Sequence, residues 1–165
     1  MHNYRFEHIK FKRKNDKYYI VDFGTPRFSE IDSYHVMWNG HYINYFEAAR
    51  IELCRHIGFD LDSLVKLGCY LPVYNYDITM KKPVLAGEKI SVAVTPQELS
   101  HSSIKFKHIL LVDGEVRAYG EVQHIPTDTE SLNIIYNLSE EIVEILAPFI
   151  KVFGLENSTI SHNHK

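Results

Sequence analysis

The spacing of apolar residues changes along the chain from a helix repeat to a strand repeat, and this change restricts the fold most. After Asn39-Gly40 the apolar residues recur at helical spacing. They are Tyr42, Phe46, Ala49, Leu53 and Ile57. Gly58 follows as a left-handed cap, so we predict one long helix between these two glycines.

Three runs after Leu71-Pro72 alternate between apolar and polar residues with the period of a strand. Their apolar positions extend from Tyr74 to Met80, from Ile90 to Val94 and from Ile104 to Val112. Asp113-Gly114, a strong two-residue hairpin signal, leads into a fourth run that ends at His124. We therefore predict that the last three of these strands form an antiparallel meander.

The start of the chain carries weaker strand signals. The run from Tyr18 to Phe28 is rich in aromatic and β-branched residues, and Pro26 marks an edge strand or a break. Residues 4 to 13 alternate in part. They predict a preceding strand with a bulge at His8, paired through a turn at Lys14-Asn15-Asp16.

One long helix followed by long antiparallel strands describes an α+β fold, in which a helix packs against one curved sheet. Asp60 predicts a short helix to about Lys66, and Ser139 predicts a last helix over residues 139–150, ended near Pro148. We predict a single domain over residues 1–165, with residues 1–17 as an N-terminal extension and residues 155–165 as a disordered tail. Since one helix leaves sheet edges uncovered, we expect a homodimer or homotetramer.

The charge balance excludes several kinds of partner. A formal net charge of −3 offers no basic surplus for phosphates, so we predict no nucleic-acid partner. No run of about 18 apolar residues is present, so we predict no membrane span. The first residues lack the apolar segment of a secretory signal, which favours a cytoplasmic protein. Cys54 and Cys69 have no zinc-binding spacing and predict two reduced, packed thiols without a metal site.

The segment from Arg27 to Arg50 combines Asp32 at a strand end, an irregular loop, and Tyr42, Glu47 and Arg50 on the predicted helix. Three further landmarks follow in order, which are Leu71-Pro72-Val73, Lys82-Pro83-Val84-Leu85-Ala86-Gly87-Glu88 and Leu99-Ser100-His101-Ser102-Ser103. Over roughly residues 18 to 148, this pattern resembles the 4-hydroxybenzoyl-CoA thioesterase branch of the hotdog-fold superfamily. The resemblance implies a hotdog fold and hydrolysis of an acyl-CoA thioester without a cofactor. It also implies Asp32 as the reacting carboxylate and the Asn39 backbone amide as the oxyanion donor.

One carboxylate suits thioester cleavage on chemical grounds as well. The leaving thiolate has a conjugate acid with a pKa of roughly 8.5, so it needs little help from a general acid. Asp32 can attack the carbonyl carbon or deprotonate a water, while N–H groups at a helix start stabilise the developing oxyanion. The ordinary alternative is that an Asp at a strand end only forms a turn or caps a helix.

Two titratable neighbours on the predicted helix are candidates for lesser catalytic roles. Glu47 either orients water in the site or forms only a surface ion pair with Arg50. His41, near the helix start, either acts as an acid or base or simply packs.

Three residues near Asp32 are candidates for contacts with the substrate. Trp38 and Tyr42 are interpreted as pocket wall or core and not as reacting groups. His35 stands where the family commonly has Gly, so it narrows the acyl pocket, supplies a hydrogen bond, or gives the loop another path. The position of Asn39 often holds an aromatic or His side chain in the family, which leaves the acyl preference open.

For the nucleotide end of coenzyme A, we expect cationic and hydroxyl groups on loops near strand ends. The candidates are Lys81, Lys82, His101, Ser102, Ser103 and Lys105. Two other functions stay open: a hydratase or dehydratase on the same fold, and a module that holds an acyl chain without turnover. The carrier, coenzyme A or acyl carrier protein, and the site's placement at a subunit interface are further expectations.

Overall fold

We describe residues 3–100 and 102–155 in a computed structural model. They form two compact units, which are considered separately. The first unit contains the chain up to Leu53, Asp77–Thr95 and Lys107–Glu121, and the second contains Cys54–Tyr76, Pro96–Phe106 and the chain from Val122 onward. His101 and, except for Leu155, the predicted tail lie outside the described residues.

The described chain is built from strands with three helices, as the α+β prediction requires. The strands are β1 (Asn3–Phe11), β2 (Lys14–Gly24), β3 (Cys69–Tyr70), β4 (Val73–Met80), β5 (Ile90–Leu99), β6 (Ile104–Val112), β7 (Glu115–His124) and β8 (Thr127–Asp128). The helices are α1 (Gly40–Ile57), α2 (Leu61–Lys66) and α3 (Glu140–Phe153), and a 3₁₀ turn covers Phe28–Glu30. Within the described ranges, no helix is both long and apolar enough to cross a bilayer.

Six of these strands form one sheet in the order β1-β2-β5-β6-β7-β4, and β3 pairs with β8. β1 with β2 and β2 with β5 are antiparallel pairs. β5, β6 and β7 are neighbours in chain order, so the predicted meander is confirmed. β4 lies at one edge of the sheet and β1 at the other.

The long helix α1 runs from Gly40 to Ile57, as the apolar spacing predicts. Its stripe is buried in the protein, with Phe46, Ala49 and Leu53 fully inaccessible to solvent. In the first unit, the Phe46 ring stacks on the ring of His108 from β6, with 4.9 Å between centroids. Burial of a large apolar side chain contributes roughly 1.5–3 kcal/mol, so this stripe orients the helix on the sheet.

The N-terminal strand exists, but its predicted turn and bulge are wrong. The β1–β2 register is unbroken from Asn3↔Asp22 to Phe11↔Lys14, and the turn lies at Lys12 and Arg13, whose φ angles are 46° and 71°. Left-handed backbone at both central residues matches the twist of the two strands, which is the geometry of a tight two-residue hairpin. The apparent phase slip arises because apolar side chains occupy both faces of β1.

Two predicted ends also differ from the structure. β2 ends at Gly24, so Phe28 belongs to the 3₁₀ turn and is almost fully exposed. α3 begins after its cap Ser139 but continues through Pro148 to Phe153. In the second unit, the buried Phe149 ring contacts Phe59 and Phe106 at centroid distances of 4.8 and 5.6 Å. This packing offsets the hydrogen bond that a proline removes from a helix.

Two other local predictions are confirmed. Asp60 caps α2, because its side chain accepts a hydrogen bond from the Asp62 N–H at 3.0 Å. Cys54 and Cys69 are both buried, and neither belongs to a disulfide.

Candidate active site

Asp32 opens a tight loop in which the backbone also fixes its carboxylate. Its N–H donates to the Val36 carbonyl at 2.9 Å, and its carbonyl accepts from the His35 N–H at 3.0 Å. The Tyr34 N–H donates to Asp32 Oδ1 at 2.8 Å. Across the described ranges of the chain, no group donates to Oδ2. One carboxylate oxygen is thus held by the turn while the other stays available for chemistry.

The loop is also attached to its surroundings on both sides. Ile31 and Met37 form a β-bridge, and the Trp38 N–H donates to the Glu30 carbonyl at 2.9 Å. On the other side, the Met37 N–H donates to the Val84 carbonyl at 2.8 Å. These bonds fix the direction in which the Asp32 loop projects.

Asp32 lines an open cavity of about 300 Å³ in the first unit. The cavity is lined by Asp32, Val36, Met37, Asn39, Tyr42, Met80, Lys81, Lys82 and Pro83. Four residues selected from the sequence therefore meet at one place: Asp32, Asn39, Tyr42 and Lys82. Lys81, also considered for the nucleotide, lies there too.

Four apolar lining residues were not selected from the sequence: Val36, Met37, Met80 and Pro83. A signal for two of them was present, because Met80 ends an alternating strand and Pro83 follows within the landmark segment. Val36 and Met37 carried no signal, since their orientation depends on the loop geometry after Asp32.

The helix start supplies the main-chain groups expected beside the carboxylate. α1 begins at Gly40, and the His41 and Tyr42 N–H groups bond back to the carbonyls of Trp38 and Asn39. For the N–H groups of Asn39 and Gly40, the described residues provide no acceptor. A Cβ on residue 40 would overlap the Trp38 ring, so this position requires glycine unless the indole moves.

Four candidates do not line this cavity in the described chain: His35, Trp38, His41 and Glu47. Trp38 is half exposed and its ring contacts that of His41 at 5.5 Å. His41 Nδ1 lies 3.2 Å from the Asn44 side-chain nitrogen. Glu47 is half exposed, and its carboxylate lies 3.5 Å from the Arg50 guanidinium. This is the ion pair that the sequence offers as the alternative to a role in the site.

Ser102 and Ser103 belong to a turn in the second unit, held by Ser100 Oγ. This oxygen accepts from the Ser103 N–H at 3.0 Å and lies 3.1 Å from Ser103 Oγ. Lys105 lies 3.3 Å from Glu98. On the wall of the cavity, the Lys82 ammonium forms a close ion pair with Glu115. A phosphate that binds Lys82 must therefore compete with a carboxylate.

His35 adopts the left-handed backbone conformation, with a φ of 61°, and its side chain is exposed. The loop thus accepts a side chain at a position whose left-handed backbone favours glycine. Left-handed backbone costs an L residue roughly 1–2 kcal/mol, while a glycine costs about 0.5–1 kcal/mol in unfolded-chain entropy.

We therefore predict that His35→Gly raises the free energy of unfolding by no more than about 1 kcal/mol and leaves thiol release within about twofold of the wild type. Urea unfolding and steady-state kinetics measure the two quantities. A tenfold loss of turnover with intact stability would instead assign a substrate contact to the imidazole.

Glu30 and Tyr45 join the segment before Asp32 to the helix. The Tyr45 hydroxyl donates to Glu30 Oε2 at 2.6 Å, and the Arg27 N–H donates to the same oxygen at 2.9 Å. Burial acts to raise the pKa of Glu30, but these two hydrogen bonds and the nearby His41 outweigh it and lower the pKa below its ordinary value. Burial, reinforced by Glu30, raises the pKa of Tyr45. The pair therefore stabilises the charged carboxylate.

This sign gives a pH dependence. The stabilisation by Glu30 is present above the unfolded pKa of about 4.3 and is lost as pH falls through the lower folded pKa. We expect Glu30→Gln to be less stable than the wild type at pH 7, by under about 1 kcal/mol because solvent screens the pair. The difference should shrink as pH falls through the folded pKa and vanish below it. Urea unfolding at several pH values measures it, with Glu144→Gln at an exposed position of α3 as the control. A difference between Glu30→Gln and the wild type that does not shrink as the pH is lowered would contradict the prediction.

Comparison with known proteins shows which family the chain belongs to. A model of the thioesterase-like superfamily matches residues 26–149. A Synechocystis protein provisionally named an esterase is 30% identical over 113 residues, which are 67% of this chain and 68% of that protein. A Bacillus subtilis protein provisionally named an acyl-CoA thioesterase is 27% identical over 110 residues, 66% of this chain and 80% of the relative.

The fold comparison agrees with the sequence comparison. The crystal structure of a DHNA-CoA thioesterase from Staphylococcus aureus matches with a TM-score of 0.74 and 24% identity, covering 84% of this chain and 92% of that chain. The β1–β2 hairpin precedes the segment that the family model matches. The chain therefore belongs to the thioesterase-like superfamily and has the hotdog fold, which confirms the family and the enzyme class, thioester hydrolase, predicted from the sequence.

Proposed function

We propose that this protein hydrolyses acyl-CoA thioesters, with Asp32 as the nucleophile or general base. The observation that supports this most is the shared cavity of the Asp32 carboxylate and the first residues of α1. Thioester cleavage needs at least a carboxylate with one oxygen available and N–H groups that can stabilise the oxyanion, since the thiolate leaves without strong acid assistance.

Two balanced routes use this arrangement. In the first, Asp32 Oδ2 attacks the carbonyl carbon, the C–S bond breaks, and the thiolate leaves with the electron pair; water then hydrolyses the mixed anhydride to release the acid. In the second, Asp32 takes a proton from water, and the resulting hydroxide attacks the same carbon and expels the thiolate. In both routes the Asn39 N–H donates to the oxyanion.

The lining suggests how the substrate lies. The apolar side chains of Met37, Met80 and Val36 suit an acyl group, while Lys81 and Lys82, which also line the cavity, suit the phosphates of coenzyme A. Because Lys82 already pairs with Glu115, Lys81 is the better placed of the two for a phosphate. His41 and Glu47 do not line the cavity within one chain, so we assign them no direct contact with the substrate.

A homodimer or homotetramer with sites at the subunit interface is part of this proposal. Large apolar side chains around the Asp32 loop and its cavity are exposed: Phe28, Tyr34, Trp38, Leu85 and Met80. Phe28 and Tyr34 are 97% and 84% exposed. An exposed apolar patch of this kind marks a surface for another protein, and a monomer that binds only a small acyl group has no need of it. A second subunit would cover them and close the cavity, and sedimentation velocity measures the association directly. A cytoplasmic location also stays a prediction.

The test is a panel of acyl-CoAs and acyl carrier protein thioesters, with benzoyl, hydroxybenzoyl and linear acyl groups of increasing length, followed by free-thiol release. Thiol release with substrate preference supports the proposal and identifies the acyl class and the carrier. Addition of water to an enoyl-CoA without thiol would favour the hydratase. Saturable binding without turnover on the whole panel would favour the acyl-binding module and contradict the proposal.

A further inference from the structure

An arginine of β7, Arg117, holds the Lys81–Pro83 segment of the cavity lining. The Arg117 Nη1 donates to the Pro83 carbonyl at 2.8 Å, and Nη2 donates to Glu88 Oε1 at 2.8 Å. The Arg117 carbonyl accepts from the N–H groups of Lys81 and Lys82, at 2.8 and 3.1 Å. The arginine is mostly buried, with only 13% of its side chain exposed.

Glu88 extends this arrangement along the turn that follows the wall. Its second oxygen accepts from the Leu85 N–H at 2.8 Å, and its own N–H donates to the Leu85 carbonyl at 3.2 Å. Leu85 in turn forms a β-bridge with Val36 in the Asp32 loop. The planar guanidinium of Arg117 has an ordered acceptor at each of two nitrogens, so it restricts both Pro83 and Glu88. A lysine ammonium lacks this fixed geometry.

One peptide group joins Arg117 to the cavity. The carbonyl of Pro83 and the N–H of Val84 belong to the same peptide unit, and while Arg117 holds the oxygen, the N–H donates to the Tyr42 hydroxyl at 3.2 Å. A hydrogen bond from a cation to a peptide oxygen strengthens the N–H of that peptide as a donor. The guanidinium therefore acts on the Tyr42 hydroxyl through this peptide.

The Tyr42 hydroxyl accepts this bond, so its own proton is free to be donated elsewhere. In the described parts of the chain, no group accepts that proton, although Tyr42 is 2% exposed and lines the cavity. Burial raises the pKa of Tyr42, and the Val84 N–H and Arg117 offset this only in part, so the hydroxyl stays protonated near neutral pH. A buried hydroxyl donor of this kind normally finds a partner.

We propose that Arg117 is a positioning residue, which through the Pro83–Val84 peptide holds the Tyr42 hydroxyl so that its proton donates to the bound acyl thioester. This inference rests on the thioesterase function proposed above. In this inference Tyr42 not only forms part of the cavity wall but also donates a hydrogen bond to the substrate. Arg117 affects turnover without touching the substrate.

A double-mutant cycle tests the coupling. Arg117→Met should lower kcat about tenfold in the wild type but less than twofold in Tyr42→Phe, because the arginine acts through the hydroxyl that Phe lacks. Arg5→Met, which removes a half-exposed arginine of the β1–β2 hairpin that pairs with Glu7 and Asp22, is the control and should leave turnover unchanged. Equal losses in both backgrounds would overturn the inference.

Amide hydrogen exchange gives a readout that does not depend on activity. The Val84 N–H should exchange at least tenfold faster in Arg117→Met and in Tyr42→Phe, while amides of the β1–β2 hairpin keep their rates. Unchanged exchange at Val84 would overturn the positioning role. If the exchange changes as expected but no acyl-CoA is hydrolysed by the wild type, the proposed function fails and the inferred substrate contact fails with it. Additivity in an active enzyme overturns this inference alone.

Discussion

We expect Asp32→Asn to lower kcat for thiol release on the order of 10³-fold and to leave the free energy of unfolding within about 1 kcal/mol of the wild type. The amide oxygen of asparagine can still accept from the Tyr34 N–H, so the turn that holds Asp32 survives. The substitution removes the negative charge that we propose attacks the carbonyl or takes a proton from water. The proposed oxyanion donors and the binding of substrate would account for the turnover that remains.

The measurement is steady-state thiol release with urea unfolding of the same preparations. Asp62→Asn, an exposed carboxylate in the first turn of α2, is the matched control and should keep full turnover. Acid quenching during turnover followed by intact mass measurement separates the routes, since only the nucleophilic route leaves an acyl group on the protein. Wild-type turnover in Asp32→Asn would remove the carboxylate from the mechanism.

Gly120→Ala should destabilise the protein by about 3 kcal/mol, the upper range for overpacking. A Cβ at this position of β7 would overlap the backbone oxygen of Asp77 in β4, and Ile78 Cγ1 and Cα would lie 3.1 and 3.3 Å away. The closest of these neighbours is backbone, so a rotamer change cannot relieve the contact. β4 must move, and with it the Met80–Pro83 wall of the cavity.

Urea unfolding measures this loss, and Gly58→Ala is the comparison. Gly58 has a φ of 77° and nothing within 4 Å of its added Cβ, so its cost, about 1 kcal/mol, comes from backbone strain alone. A Gly120→Ala protein no less stable than Gly58→Ala would show that β4 and β7 separate easily. We also expect kcat/KM of Gly120→Ala to fall, because β4 leads directly into the cavity wall.

The features that sequence predicted well are those that neighbouring residues decide. The ends of α1 follow from a 3.6-residue repeat between two glycines, and the β6–β7 hairpin follows from Asp113-Gly114. The turn at Lys12 and Arg13 was missed because neither residue favours a left-handed backbone by itself. The single-domain organisation stays a prediction.

The candidate site divides in the same way. Asp32 and Asn39 were identified because the loop and the helix start are contiguous in sequence, and both line the cavity, although their catalytic roles stay predictions. Glu47 and His41 were chosen from the same segment, yet neither lines the cavity within the described chain. On a helix, a difference of one residue rotates a side chain by about 100°, and the sequence alone does not show which face the sheet covers.

The sequence by itself determined the α+β class, the long helix, the meander and the family, because periodicity, caps and motif order are local properties. Only the tertiary structure decided which residues surround Asp32. The Tyr42 hydroxyl meets the Val84 N–H across 42 positions, and Arg117 holds Pro83 across 34. Such contacts depend on strand register and on the packing of segments that are distant in sequence, and no local pattern encodes them.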